Sequence, residues 1–390
     1  MGFFSFSLLI AGGALLVHLY LYLRLVRPAV KSARWRRALG ALLALMTIVL
    51  LLRRSARDLG DDLADAYALV AYGWMAFGVC IASAVLVGDL VRLIASLGER
   101  ISRKRQPADG EHDPARRQFL SQALHVGVAT GGALTSGYGV FRAFTPPEVT
   151  EVAVRVPKLP RALDGLSIVQ LTDVHVGPLI GRTFVDQLVS TANALRPDLV
   201  AITGDLVDGD VARLGSAVAG LGNLRSRYGS FFVTGNHEYY SGEDEWVGFL
   251  ERLDVEVLRN RRVAIGDAGG SIDLIGVDDW SGGRRRGRPG YDLDRALEGR
   301  DPDRAAVLLA HQPANFEVAA ARGVDLQVSG HTHGGQLFPM TLLIGLAHQH
   351  VRGLYRHEDA HLYVSRGCGF WGPPARVGSA PEIVKITLTA

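Results

Sequence analysis

The sequence is poor in cysteine: Cys80 and Cys368 are the only two in 390 residues. One lies in an apolar run and the other in a far C-terminal loop. A disulfide framework is therefore excluded as the organising device, and a thiolate zinc site is disfavoured. The chain also lacks a large net charge, since 42 basic side chains against 39 acidic ones leave +3. That balance, with no stripe of interleaved aromatic and basic residues, argues against a nucleic-acid partner. What is abundant is apolar character, 48% of residues, with a mean hydropathy of +0.16. A length with room for about two to three domains must therefore accommodate membrane segments.

Four apolar segments precede residue 145. Residues 3–23 and 66–87 are uncharged and long enough to cross ~30 Å of hydrocarbon at ~1.5 Å per residue. Residues 38–52 are short for a span, but Arg36, Arg37, Arg53 and Arg54 can snorkel from its ends. Residues 119–141 are uncharged too, diluted by His125 and five glycines. Arg24, Arg27, Lys31, Arg34, Arg36 and Arg37 crowd the first connection. Arg100, Arg103, Lys104, Arg105, Arg116 and Arg117 crowd the third, so both read as cytoplasmic. The reading is a multi-pass protein of the bacterial inner membrane, its remainder on the extracytoplasmic side. If residues 119–141 do not span, the same parity puts that remainder in the cytoplasm. Arg116-Arg117-Gln118-Phe119-Leu120 also looks like a twin-arginine export signal. No charged residue lies mid-span, which gives an ion pathway little support.

Pro146, Pro147, Pro157 and Pro160 punctuate the next stretch, where residues 151–156 alternate like an edge strand. The expected organisation is a membrane region over 1–144, a linker and first strand over 145–165, and a soluble domain over 166–390. In that domain, apolar strand-like runs end repeatedly in Asp, His or Asn beside glycine. Residues 167–171 lead to Asp173-Val174-His175, 199–202 to Gly204-Asp205-Leu206-Val207-Asp208, and 230–233 to Gly235-Asn236-His237-Glu238. Residues 305–309 lead to His311, and 326–328 to Gly330-His331-Thr332-His333. Helical spacing falls over 182–195 and 211–224. Residues 271–277, 362–365 and 383–388 read as further strands, the last two placed to pair antiparallel. In open α/β sheets ligands bind beyond the carboxyl ends of strands, so five such ends converge on one rim.

The gathered groups are Asp173, His175, Asp205, Asn236, His311, His331 and His333. Carboxylate, imidazole and amide together suit Mn, Fe or Zn, whereas Mg and Ca prefer oxygen alone. Seven ligands are too many for one ion with open positions but fit two divalent metal ions sharing a carboxylate. Such a pair clamps an in-line displacement at phosphorus and makes hydroxide available near neutral pH.

These motifs, in order, resemble the signature of the calcineurin-like metallophosphoesterases over roughly residues 166–388. The fuller strings Gly330-His331-Thr332-His333-Gly334-Gly335-Gln336 and Trp371-Gly372-Pro373-Pro374 are similar to its membrane-associated or exported bacterial branch. The resemblance implies an α/β fold, the four-layer α-β-β-α sandwich of two stacked mixed sheets, here preceded by helical transmembrane segments. It implies that Asp173, His175 and His333 hold one metal and Asn236, His311 and His331 the other, bridged by Asp205. His237 would face the substrate and protonate the leaving oxygen, with Asp208 orienting it. The implied activity is hydrolysis of a phosphate ester or pyrophosphate by attack of a metal-bridging hydroxide. The expected partners are the lipid bilayer and an anionic phosphate-containing small molecule, or, from the membrane anchor, a lipid-linked or envelope-derived compound.

Other readings use the same residues. The site also suits a nuclease or cyclic-nucleotide phosphodiesterase, and a non-catalytic membrane receptor with a metal-binding module is a further alternative. Taken singly, Asp208 and Asp210 fit turn residues beside Gly209, and Asn236 fits a left-handed turn. Among His348, His350, His357 and His361, most suit surface or rim roles, with His350 the pocket candidate. Arg284, Arg285, Arg286 and Arg288 form a glycine-rich loop, either solvated or an electrostatic funnel for an anion. Cys368 suits a packed small residue better than a nucleophile.

Overall fold

In the computed structural model of this chain, residues 3–53, 55, 60–103, 114–280, 282 and 290–390 are described. The loop carrying Arg284, Arg285, Arg286 and Arg288 lies outside the described residues. Two compact units divide the chain. One comprises the helices up to Phe141 with residues 372–375; the other runs from Arg142 to Trp371 and from Arg376 to Ala390.

The apolar segments of the first unit are helical, within Phe3–Leu21, Ala33–Leu52, Asp61–Arg103 and Pro114–Phe144. Two helices, over Ala33–Leu52 and Asp62–Gly98, are long and apolar enough to cross a membrane, judged by length and composition. Large apolar side chains such as Leu16, Ile48 and Leu69 are exposed on these helices. Polar links tie the helices together. His18 Nδ1 lies 2.6 Å from Thr47 Oγ1, and Trp74 Nε1 donates to His18 Nε2 at 2.9 Å. Arg24 reaches Asp89 with two donors, and the Tyr20 hydroxyl donates to the same carboxylate at 2.9 Å.

In the second unit the described residues form β1 Glu148–Arg155, β2 Ser167–Leu171, β3 Leu199–Thr203, β4 Ser230–Val233, β5 Val255–Val257 and β6 Arg261–Asp267. They continue with β7 Gly270–Gly276, β8 Ala306–Leu309, β9 Leu326–Ser329, β10 Gly353–His357, β11 Ala360–Val364 and β12 Glu382–Thr389. These make two six-stranded sheets, ordered β1-β12-β2-β3-β4-β5 and β10-β11-β9-β8-β7-β6. Each is mixed. β2 to β5 run parallel beside an antiparallel β12, and the parallel set β7, β8, β9 and β11 is flanked by antiparallel β6 and β10.

Side-chain alternation builds four layers. Ile168, Leu199 and Ala201 turn toward the other sheet and meet Leu274, Val307, Leu309 and Val328. Val169, Val200 and Ile202 turn outward onto Val185 and Leu188 of the helix Arg182–Ala194 and Val218 of the helix Val211–Val218. The second sheet is covered on its outer face by Leu293, Ala296 and Ala319 from two short helices. Strands buried on both faces carry continuous apolar runs rather than alternation, which is why the central strands stand out in the sequence.

Every expected strand coincides with an observed one, but the pairing of the last two is corrected. β11 joins β9, whereas β12 lies between β1 and β2 in the other sheet. Residues 365–381 separate them, far beyond the turn that joins an antiparallel hairpin. β5, β6 and β10 were not expected: β5 has three residues, and the other two are half-exposed edge strands with polar sequences. The helix expected over 211–224 gives way to a 3₁₀ turn at Ala219–Asn223, where Gly220 and Gly222 fall.

Phe232 is fully buried against the helical layer of the first sheet. Phe232→Ala is expected to destabilise the protein by about 3–5 kcal/mol, read as a lowered urea midpoint. A change below about 1 kcal/mol would contradict this packing.

Candidate metal centre

The carboxyl ends of β2, β3 and β4 in one sheet and of β8 and β9 in the other carry the candidate ligands to one place. A polar latch joins the sheets there, with Gln170 Nε2 on β2 donating to Ser329 O on β9 at 2.9 Å. Asp173, His175 and His333 present ligand atoms within 4.8 Å of one another, and so do Asp205, His311 and His331. Within the first group His175 Nε2 lies 3.1 Å from His333 Nε2, and within the second His311 Nε2 lies 3.1 Å from His331 Nδ1. Asp205 faces both: its Oδ2 is 3.1 Å from His311 Nε2 and 3.9 Å from His175 Nε2. A third group joins His175, Asp208 and His237.

Backbone conformation delivers these side chains. Eleven non-glycine residues among those described adopt positive φ, and five of them are Asp173, His175, Asp205, His331 and His333. The left-handed region costs a side-chain-bearing residue free energy, and such residues gather at functional sites. Asn236, a left-handed candidate in the sequence, is not among them. Two glycines permit close approach. A Cβ on Gly330 would fall 2.1 Å from Asp173 Oδ2, and one on Gly235 would fall 2.2 Å from Asp205 Oδ1.

A metal fits this donor set on one direct observation: Asn236 Oδ1 is buried and has no hydrogen-bond partner. A lone buried acceptor is costly unless something satisfies it, and a cation does so. Asp208 does more than expected, because its Oδ1 lies 2.6 Å from His237 Nδ1 and also 3.0 Å from His175 Nδ1. It thus orients a candidate ligand as well as the expected acid. Asp210 instead caps the helix Val211–Val218, accepting from Arg213 N at 3.0 Å. The fold therefore separates two aspartates that the sequence treats alike.

The electrostatics follow from burial. Burial opposes ionisation of Asp205, but His311, His237 and His175 hold its carboxyl well below the ordinary range. Burial drives the Asp173 carboxyl upward. Burial likewise opposes ionisation of Asp208, and His175 and His237 overcome it to hold that carboxyl low. Burial works against a charged His237, yet Asp205 and Asp208 outweigh it and raise the ring to about 9. Burial, aided by His311, lowers His331 to about 3.

Sequence reasoning missed three supports. Glu238 stands beside His237 in the motif but received no role. Its buried carboxylate accepts from the N–H groups of Gly235 (2.6 Å), Leu206 (2.8 Å) and Asp205 (3.0 Å), pinning two motif loops together. Arg376, only 1% exposed, donates to His333 O at 3.1 Å and places Nη2 3.0 Å from His333 Nδ1. Gln336 and Trp371 exchange two hydrogen bonds of 3.0 Å, which couples the two fuller strings noted in the sequence. Trp371 and Tyr240 in turn flank the His237 ring, at 5.9 and 5.5 Å. The rim histidine is also corrected. The His348 ring lies 5.5 Å from that of His331, whereas His350 packs on Phe316 and Tyr355. Cys368 is a packed residue, its thiol pushed by burial to about 12.

The calcineurin-like phosphoesterase family matches residues 166–335. A transmembrane protein with metallophosphoesterase domain from Bos taurus is 40% identical over 337 residues, 83% of this chain and 74% of that protein. An uncharacterized metallophosphoesterase of Campylobacter jejuni is 32% identical over 391 residues, 99% of this chain and 98% of that one. Among solved structures, a 5'-nucleotidase precursor from Thermus thermophilus matches at 18% identity and TM-score 0.36, over 57% of this chain and 54% of that one. The chain belongs to the calcineurin-like metallophosphoesterases, hydrolases of phosphoric esters that use divalent metals.

Stability should register the His237–Asp208 pair. A ring raised from 6.5 to about 9 in the fold contributes stability that is complete below pH 6.5 and lost as pH rises through 9. Metal-free protein is therefore expected to lose thermal stability between about pH 7 and 10, and Asp208→Asn to flatten that slope. A parent protein with no such decline would contradict the pairing.

Proposed function

We propose that the chain is a membrane-anchored, binuclear metal-dependent phosphoesterase that cleaves a phosphate ester or pyrophosphate bond of an anionic small-molecule or lipid-linked substrate. The observation that carries this reading is Asp205. It is a buried carboxylate within 3.1 Å of His311 Nε2 and 3.9 Å of His175 Nε2, between two groups of ligand type. In this reading Asp173, His175 and His333 hold one divalent cation, and Asn236, His311 and His331 hold the other, with Asp205 shared. Cations bound there supply Lewis-acid polarisation of the phosphoryl group and hydroxide near neutral pH.

The protein's own residues do the rest. Asp208 fixes the His237 ring through Nδ1 at 2.6 Å, which leaves Nε2 to carry a proton toward the leaving oxygen. Asp205 Oδ1 accepts from the His237 backbone N–H at 2.8 Å, so ligand and acid are held in one frame. Tyr240 and Trp371 meet the ring edge-on and help fix its orientation. The apolar helices anchor the enzyme as a multi-pass protein. Support for a placement of the phosphoesterase unit outside the cytoplasm comes from the basic first and third connections.

Full-length protein supplied with Mn, Zn or Fe is expected to hydrolyse members of a panel of aryl phosphate mono- and diesters, nucleotide sugars and phospholipids. Asp205→Asn should lower the rate at least about 100-fold. His237→Ala should slow alkyl esters more than aryl esters, whose leaving groups need less protonation. No turnover with any of these metals, or an unimpaired Asp205→Asn, would overturn the reading.

A further inference from the structure

Directly after its histidines, the Gly330–Gln336 motif runs into an apolar stretch, Leu337-Phe338-Pro339-Met340-Thr341-Leu342-Leu343-Ile344-Gly345-Leu346. It forms one helical turn at Met340–Leu343 and a tighter one at Ile344–Leu346. Its large side chains are in the open: Leu346 is 86% exposed, Leu342 70%, Leu343 46% and Met340 45%. Contiguous exposed apolar side chains on a folded unit mark a binding surface.

Both ends of the stretch are fixed at the site. A Cβ on Gly335 would fall 2.6 Å from Met340 O and Thr341 Cα, so the first turn packs backbone to backbone on His333-Gly334-Gly335. Leu337 bridges to Val377 and Gly378, and Gly378 lies beside the Thr341 side chain, so the inner side of the turn is occupied. At the far end the chain returns to the centre at half-buried His348, beside His331. The ridge therefore leaves the site at one candidate ligand and comes back at another.

Charge says what it fits. Between Asp325 and Glu358 the sequence has no carboxylate, while Arg352 and Arg356 are basic; Glu317 meets the stretch only beyond the ridge, at Gln349 and His350. Arg352 is exposed and close to the motif: a Cβ on Gly334 would fall 3.2 Å from its Cδ, and its Nη1 donates to Gly378 O at 2.8 Å. In the phosphoesterase reading the metal-loaded centre takes a phosphoryl group, and an exposed hydrocarbon ridge at its edge is complementary to the alkyl tail of the same molecule. A small polar phosphate ester would leave the ridge bare.

We propose that Met340, Leu342, Leu343 and Leu346 form an alkyl-chain subsite, and that the substrate is an amphiphilic phosphate ester whose hydrocarbon chain lies along them. This deepens the phosphoesterase reading and rests on it. Alkylphosphonates test it, because the C–P bond resists hydrolysis and the short ones are soluble. Methyl-, butyl- and hexylphosphonate are titrated calorimetrically into metal-loaded, full-length protein in nanodiscs, with empty nanodiscs as the blank. Affinity in the parent is expected to rise by up to about fourfold per added methylene. In the doubly substituted Leu342→Gln, Leu346→Gln protein that rise should largely vanish, with methylphosphonate affinity as each protein's internal reference. Equal affinities for methyl- and hexylphosphonate in the parent would overturn the subsite while leaving the phosphoesterase reading intact. So would a rise that survives both substitutions; a changed oligomeric mass in that case would make the ridge an interface between copies. If none of the phosphonates binds, the phosphoesterase reading falls and the subsite with it.

Discussion

The second unit is arranged around a buried negative charge. Asp205, 2% exposed, faces His311 on one side and His175 on the other and accepts a backbone N–H from His237. A carboxylate removed from water at such a place needs positive partners or strong donors. The histidines supply part of that need and two cations would supply the rest. The stacking of two sheets has a direct chemical consequence, because neither sheet alone brings a full set of ligands to this carboxylate. β2, β3 and β4 supply Asp173, His175, Asp205 and Asn236; β8 and β9 supply His311, His331 and His333.

That convergence is held in place by the backbone. Five candidate ligands occupy the left-handed region, which is strained for a residue with a Cβ, and two glycines allow loops to pass where no side chain would fit. The restoring forces lie just behind. Glu238 ties three backbone N–H groups from two loops, and the latch of Gln170 to Ser329 crosses between the sheets. Apolar packing on both faces of the central strands provides the rigid frame against which this strain is held.

Much of this was legible in the sequence because it is local. An apolar run ending in Gly-Asp or Gly-Asn-His states both a strand and what stands at its end, and buried parallel strands lack the polar alternation that blurs others. What could not be read was non-local. Nothing near residues 360–390 says that β11 and β12 belong to different sheets, since that depends on which edges are free for pairing. The role of Arg376 depends on carbonyls at His333, Arg366 and Gly369 meeting around it. His348 and His350 are two residues apart and equivalent as letters, yet one turns to His331 and the other to Phe316. In the helical unit, the His18, Thr47 and Trp74 contacts join residues of three helices that hydropathy treats as uniform.

The central claim is that Asp205 lies between two metal ions. Crystals of the metal-loaded protein, measured across the absorption edge of the added Mn or Zn, test it directly by anomalous difference maps. The account predicts two peaks per chain about 3.5–4 Å apart, one beside Asp173, His175 and His333 and one beside Asn236, His311 and His331, with Asp205 touching both. A single peak, or a pair that Asp205 does not join, would contradict it.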